Sequence, residues 1–455
     1  MSMTMHPAAL EAIEQEVDRA ASRQRRWFWA ILAIILTYLA ISWVQFDIGS
    51  LRDKWRPERA ALFVLDTYAH KDHITMRWDE PEEIRVAFEG GHRHVYEPKP
   101  DWFEERADGG RTITYGNGGQ VTFYDTEVTL DWPDQDETFV FRLDGDGKPF
   151  VVGYQDRLDE LPEWMRQTEN KVEIRPSLFE RLQVGTIRVE AHRYEVGWAY
   201  FWFDFDSPLR DVGFFEAIGL MFSSDRVVPE MSNAKLVWTE FRDNTIWGHG
   251  TVLYAMLETI FMALLGTMIA AGVGLPLAFM AARNVQPIGA FRFALRRLFD
   301  VLRGVDTLIW SLIFLRAFGP GLFTGIFAIA FTDTGTLGKL MSEAIENADN
   351  NQREGIQSTG ASKVQQHRFG ILPQIMPVFI SQSLYYLESN TRGAVIIGAM
   401  GAGGIGLQFL GALQTGNDFE NVAYMALLVL VTVIAMDAMS ARLRRALIGL
   451  DQKGR

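Results

Sequence analysis

The chain contains no cysteine. That excludes a disulfide framework, a thiolate zinc site, an iron–sulfur cluster and a cysteine nucleophile. It also lacks a basic surplus: 57 Asp and Glu against 44 Lys and Arg leave a net charge of −13, so no nucleic-acid partner is expected. No glycine-rich loop ends in Lys-Ser or Lys-Thr, so the chain carries no P-loop of its own. Internal repeats and low-complexity tracts are absent as well. What the 455 residues do have is apolar sequence, 48% of the total. It is gathered into a few long runs, a pattern no disordered chain shows.

The first run, Trp27–Phe46, has the roughly 20 residues that a helix needs to cross a hydrocarbon core. A polar, helix-favouring segment from Glu11 to Arg26 precedes it, which argues for an uncleaved anchor rather than a signal peptide. Arg23, Arg25 and Arg26 at its start place the 1–26 segment in the cytoplasm. Further spans are read at His249–Ala282, Leu298–Phe318, Gly321–Met341, Ile375–Met400 and Ala423–Ala441. Arg283, Arg292, Arg296 and Arg297 mark one cytoplasmic end. Lys363, His367 and Arg368 mark the loop Ser342–Gln374, and Arg442, Arg444 and Arg445 mark the last end, before a 446–455 tail. About six spans with both termini inside satisfy every basic cluster. The chain is therefore expected to be a multi-pass protein of the cytoplasmic membrane with its N-terminus in the cytoplasm.

Residues 47–240 differ in kind. About 39 Asp and Glu face about 23 Lys and Arg between Asp47 and Glu240, a balance near −16. Short alternating runs recur at His73–Trp78, Ile84–Phe88, Thr112–Tyr115, Val121–Leu130, Thr138–Leu143, Phe150–Tyr154, Lys171–Arg175 and Thr186–Val189. Turn signals such as Glu89-Gly90-Gly91, Asp108-Gly109-Gly110 and Asn117-Gly118-Gly119 separate them, which predicts an antiparallel sheet or sandwich. A helix-like piece near Asp156–Met165 crosses it. The aromatic segment Trp198–Trp247 reads either as an interfacial element or, for Trp198–Phe205, as a strand feeding the core. By the topology above this insertion lies outside the membrane. Two close histidine pairs, His70 with His73 and His92 with His94, offer a metal site; buried or surface histidines without a metal are the plainer reading.

The cytoplasmic loop reads Glu354-Gly355-Ile356-Gln357-Ser358-Thr359-Gly360, with Leu372-Pro373 further on. A polar helix, a glycine suited to a left-handed turn, a second helix starting near Ser362 and a proline at membrane re-entry make a helical hook. Within the spans, ionisable residues are costly unless paired or water-lined. Glu388 and Arg392, four apart, share a helix face and either pair or meet a solute; Asn390 points elsewhere. Arg303, Asp306, Arg316 and Asp333 are further candidates. Gly401-Ala402-Gly403-Gly404-Ile405-Gly406 could pass for a phosphate loop, but small residues letting helices approach is the better account.

This spacing resembles the E-A-A-x3-G-x9-I-x-L-P loop of permease subunits of binding-protein-dependent ABC importers. Glu354, Gly360, Leu372 and Pro373 match it. Gly355 and Ile356 stand in place of the two alanines, and Gly370 in place of the isoleucine. Leu257-Glu258-Thr259, Leu277–Asn284, Gly335–Leu340 with Glu343, Glu388–Arg392 and Gly401–Gly406 are similar to phosphonate-importer permeases. The likeness runs from about 250 to 448 and does not extend to the β-rich insertion. It implies an all-α polytopic membrane domain (249–445) of the type I (MetI-like) ABC importer class, here with an inserted extracytoplasmic β-rich domain. It further implies import of a phosphonate or related phosphorus oxyanion, with Arg392, Glu388, Asn390 and Arg303 as pathway candidates. Glu354, Gly360, Ser362, Leu372 and Pro373 would form the ATPase-coupling loop. The chain itself would bind no cofactor or metal and would not be an enzyme. Its implied partners are a second copy of itself, two copies of an ATP-binding subunit that hydrolyses MgATP, a solute-binding protein and membrane lipid. An importer for inorganic phosphate or an amino acid, a secondary carrier and a sensor are the alternatives. A carrier would show inverted repeats, and a sensor would need a cytoplasmic output domain.

Overall fold

The computed structural model describes residues 7–89, 94–133, 135–415 and 419–448. The chain divides into two units, Met1–Leu62 and Phe63–Arg455. The first is dominated by a helix, α1 (Pro7–Gln45), of which Ala21–Gln45 is long and apolar enough to cross a bilayer. Trp27, Ile34, Tyr38 and Val44 lie open along it, as expected of a helix whose surroundings are hydrocarbon. Helix α2 (Pro57–Asp66) leads into the second unit.

That unit begins with twelve strands. Sheet one has the order β2-β1-β12-β11-β10-β9, and sheet two is a meander, β3-β4-β5-β6-β7-β8; all pairings are antiparallel. The strands are β1 (Ala69–Arg77), β2 (Arg85–Phe88), β3 (Phe103–Glu105), β4 (Arg111–Thr114), β5 (Gln120–Phe123), β6 (Val128–Asp131), β7 (Phe139–Leu143), β8 (Pro149–Val151), β9 (Met165–Gln167), β10 (Lys171–Ile174), β11 (Glu180–Gly185) and β12 (Arg188–Val196). Alternate residues of both sheets, among them Ile74, Ile113, Phe123, Leu130, Phe141, Val172 and Leu182, share one core, which makes this a sandwich. The turn glycines behave as their sequence suggests. At Asn117-Gly118-Gly119, Gly118 takes φ +91° while the Asn117 side chain accepts from the Gly119 amide at 3.0 Å.

Several sequence expectations need correction here. The strands span Ala69–Val196, which takes in the predicted runs from His73 to Val189, and helices flank them. Val121–Leu130 is two strands, because Tyr124 to Glu127 close a turn (Tyr124 N–H to Glu127 O, 2.8 Å). The helix near Asp156–Met165 is one 3-10 turn, Leu158–Glu160, followed by Pro162 and then β9. Trp198–Phe205 is neither strand nor helix. Its rings instead pack among Trp247, His249 and Tyr424 at the heads of two helices. Of the histidine pairs, His92 lies outside the described residues, as do Gly90 and Gly91.

Two short helices, α3 (Phe214–Met221) and α4 (Asn233–Arg242), precede the helical part. The remainder comprises α5 (His249–Ala281), α6 (Gly289–Gly304), α7 (Thr307–Phe318), α8 (Leu322–Glu346), α9 (Asn350–Gln357), α10 (Leu372–Ile397), α11 (Gly404–Thr415) and α12 (Phe419–Ile448). Small residues set the packing. Gly266 of α5 meets Ile329 of α8, Gly274 meets Gly338, and Gly325 meets Met262, so α5 and α8 run parallel. The stretch read as one span, Leu298–Phe318, is two helices. Gly304 ends α6, and Asp306 caps α7 by accepting from the Leu308 amide at 2.8 Å. Together the two pieces run antiparallel to α8, with Phe299 against Gly338 and Phe314 against Phe331 and Phe327. Helix α10 returns antiparallel to α5, and α12 runs parallel to it, with Tyr424 near His249 and Met436 in one cluster with Met262. Among the described residues three helices are long and apolar enough to cross a membrane, or four if the bent pair α10–α11 is one span.

Candidate functional site

The hook is built by caps and one left-handed residue. Asp349 opens α9 by accepting from the Asn351 amide at 2.9 Å. Gly360 takes φ +82°, a value at which a β-carbon costs about 1–2 kcal/mol. Ser362 then starts the next turn, Lys363–Gln366, with a reciprocal box: its hydroxyl accepts from the Gln365 amide, and the Gln365 side chain accepts from the Ser362 amide at 2.8 Å. A wide turn, His367–Ile371, passes into α10, where Leu372 and Pro373 occupy the first positions. Gln374 staples the base, its Oε1 accepting from the Asp349 amide at 2.8 Å. Gly370, where the importer loop has isoleucine, is closely packed: a β-carbon there would stand 3.1 Å from Arg353 Cα. Glu354 and Gly360 are exposed. So are two apolar side chains, Val364 (75%) and Phe369 (57%). A polar hook with uncovered apolar tips can fit into a groove on another protein.

Beneath the hook Arg296 of α6 pairs with Glu346 at the end of α8, and Asn284 donates to the Ile345 carbonyl at 2.8 Å. These contacts bind the hook's root to α5 and α6. Arg303 belongs to the same end of the bundle, bonded to Asp300 at 3.1 Å, and Lys339 stands 3.7 Å from that carboxylate.

Deeper in, the structure separates residues that the sequence grouped. Glu388 and Arg392 do pair along α10 at 3.3 Å, with the Arg392 side chain 56% exposed and Glu388 15%. Asn390 instead faces α5 and α8. Its amide donates to Asp333 Oδ2 at 2.5 Å and to Thr267 Oγ1 at 2.9 Å, and Asp333 is buried. One amide thus joins three helices through a carboxylate.

At the far end of α10 the glycine run makes a bend of 63° into α11. Gly401, Gly403 and Gly404 take φ +109°, +91° and +70°. The amides of Gly404 and Ile405 donate to Glu258 Oε2 at 3.2 Å and Thr259 Oγ1 at 2.9 Å on α5. A phosphate loop needs such amides free, so this turn instead joins the two helices to α5. Glu258 escaped the list of candidates. Its signal was present, an acid inside an apolar run.

In the β-rich part His70 and His94 both lie beside Phe88 and line one cavity. His70 stands 3.7 Å from Glu195, His94 stands 3.8 Å from Asp204, and His73 packs edge-on to His192. Among the described residues no three metal-capable side chains converge.

A glycine-packed helical bundle with three helices long and apolar enough to cross a membrane among the described residues, and a capped polar hook between two of its helices, is the architecture of a polytopic membrane protein. The family described as binding-protein-dependent transport system inner membrane component matches residues 274–448, and the chain belongs to it. The phosphite transport system permease protein PtxC of Stutzerimonas stutzeri is 35% identical over 44% of this chain and 72% of its own length. A permease protein named for a cryptic phosphonate transport system, PhnE2 of Escherichia coli (strain K12), is 44% identical over 27% of this chain and 98% of its own. The phosphate-import permease protein PhnE of Mycolicibacterium smegmatis (strain ATCC 700084 / mc(2)155) is 35% identical over 42% of this chain, and the match spans 36% of that protein.

Proposed function

We propose that this chain is the membrane-spanning, non-catalytic subunit of an ATP-driven importer for a phosphorus oxyanion. The hook carries the reading. It sits inside the family match, between α8 and α10, where a rigid capped element transmits an outside force to both. The three relatives are named for phosphite, phosphonate and phosphate, which share a tetrahedral phosphorus with several anionic oxygens. In this reading a separate ATPase hydrolyses MgATP and receives the hook through Glu354, Gly360 and Ser362, with Leu372 and Pro373 at its root. A solute-binding protein delivers the anion.

Six spans complete the reading: α1, α5, the broken α6–α7, α8, α10 with its bend, and α12. Basic clusters place Ser342–Gln374 and both ends in the cytoplasm, and the β-rich part outside. Six spans are few to enclose a pathway, so two copies would form one. Arg392, exposed and half-neutralised by Glu388, is the cation that meets the solute. Deletion of the gene tests the reading. Growth should fail on one phosphorus oxyanion as sole phosphorus source and recover when the gene is returned. Unchanged growth on phosphonate, phosphite and limiting phosphate, with loss of amino-acid uptake instead, would overturn it.

A further inference from the structure

The segment between β12 and α5 contains an apolar cleft that no part of the transport reading uses. It has a volume of about 210 Å³ and is lined wholly by apolar side chains, chiefly Trp202, Phe214, Ile218, Met221, Trp238 and Phe241. The hairpin that forms it is fixed in place. Asn233, itself buried, donates to the carbonyls of Leu220 and Asp225 at 3.1 and 2.8 Å and accepts from the Val227 amide at 3.1 Å, which locks the α3–α4 connection. Around the cleft the surface is more apolar than water tolerates in a contiguous patch: Phe215 is 85% exposed, Phe222 86% and Trp238 56%.

Its level relative to the bilayer follows from one stack. Phe241 lies flat on His249, ring centroids 4.1 Å apart at 11°. His249 is the first residue of α5, a helix long and apolar enough to cross a membrane. A patch attached to the first residue of a span stands at the boundary of headgroups and acyl chains, where aromatic and aliphatic side chains on short amphipathic helices are most stable. The cleft offers no polar group to a ligand, which suits an acyl chain. We propose that the α3–α4 hairpin is an interfacial lipid-binding element whose cleft holds a phospholipid acyl chain from the leaflet at the His249 end of α5. It thereby ties the β-rich part to the membrane surface. The proposal rests on α5 crossing the membrane and not on which side His249 faces.

Brominated lipid tests it. The whole chain is reconstituted into phosphatidylcholine vesicles carrying bromines either near the glycerol end or near the methyl end of the acyl chains. The Trp238 contribution is isolated by subtracting the emission of Trp238→Phe, a change that preserves an apolar ring. Glycerol-proximal bromines should quench it at least twofold more than methyl-proximal ones, and aqueous iodide should quench it little. In Phe215→Ser/Phe222→Ser the bromine quenching should fall by half or more while the chain remains in the vesicles. Strong iodide quenching without bromine quenching would place the cleft in water. Protection from both quenchers would mean that protein, such as a second copy, covers it. Either result overturns the proposal. Bromines in both leaflets make the readout blind to orientation, so a wrong topology would leave the quenching intact.

Discussion

The amide of Asn390 on α10 stands 2.5 Å from the carboxylate of Asp333 on α8. In the interior of a bundle this bond satisfies a carboxylate that has little access to water, and the same amide also reaches Thr267 on α5. Three helices are thus tied at one polar point.

Removing that point should loosen the bundle. Asn390→Leu leaves Asp333 buried without its donor, a loss of about 1–3 kcal/mol. It should lower the thermal unfolding midpoint of the purified chain while insertion is retained. Asp333→Leu combined with Asn390→Leu removes both polar groups and should recover part of the loss. Equal midpoints for the single variant and the native chain would show that the bond carries no weight.

The hook can be disabled without unfolding the membrane part. Glu354→Arg reverses an exposed charge, and Gly360→Val places a branched side chain at φ +82°, a strain of about 1 kcal/mol or more. Both should insert normally, and both should lose ATPase association or solute-stimulated hydrolysis. Normal coupled hydrolysis in the two variants would refute the docking role.

Arg392 is tested by geometry and charge separately. Arg392→Lys keeps the charge but loses the fork that matches anionic oxygens, so transport should fall, by about tenfold if one charge-assisted hydrogen bond is lost. Arg392→Gln should fall further, with assembly and basal hydrolysis intact. If Arg392→Gln instead prevents assembly and Glu388→Gln restores it, the pair only positions helices.

The β-rich part should be acid-sensitive. Burial first, then the nearby cations Lys71 and Arg181, push the His73 imidazole down to about 4. Burial and the neighbouring His73 push His192 to about 2. An unfolded imidazole takes its proton near pH 6.5, so below that value the unfolded chain binds more protons than the folded one. Stability is therefore full above pH 6.5 and falls as pH drops towards 4. The loss should amount to about 1–2 kcal/mol per imidazole by pH 5. Protease resistance of residues 69–196 in the whole chain, titrated from pH 7 to 4.5, should show this fall, and His73→Gln/His192→Gln should flatten it.

Much of this architecture is readable from residue order, because its causes are local. Arginine clusters beside apolar runs mark span ends, and Asn117-Gly118-Gly119 marks a turn. The Glu354–Ser362 segment spells out its own cap and left-handed residue. The break at Gly304–Asp306 was also written locally, as a helix stop followed by a cap, but the apolar run across it hid the interruption. The partner of Asn390 was hidden for a different reason. Asp333 lies 57 positions away, and the packing of α5, α8 and α10 on one another brings the two together. Strands β3 and β9 fall outside the predicted runs because three residues beside polar turns carry too short a period to register; β11 falls outside them because its buried face begins with a charged residue, Glu180.

Accumulation of labelled solute inside sealed vesicles tests the central claim most directly. The vesicles carry this chain together with its cognate ATPase and solute-binding protein. Labelled phosphonate, phosphite or phosphate should accumulate against its gradient only when MgATP is on the hook side and the binding protein is on the opposite side. Glu354→Arg should abolish that accumulation. Uptake that proceeds without ATP or without the binding protein, or that concentrates an amino acid and none of the three oxyanions, would contradict the account.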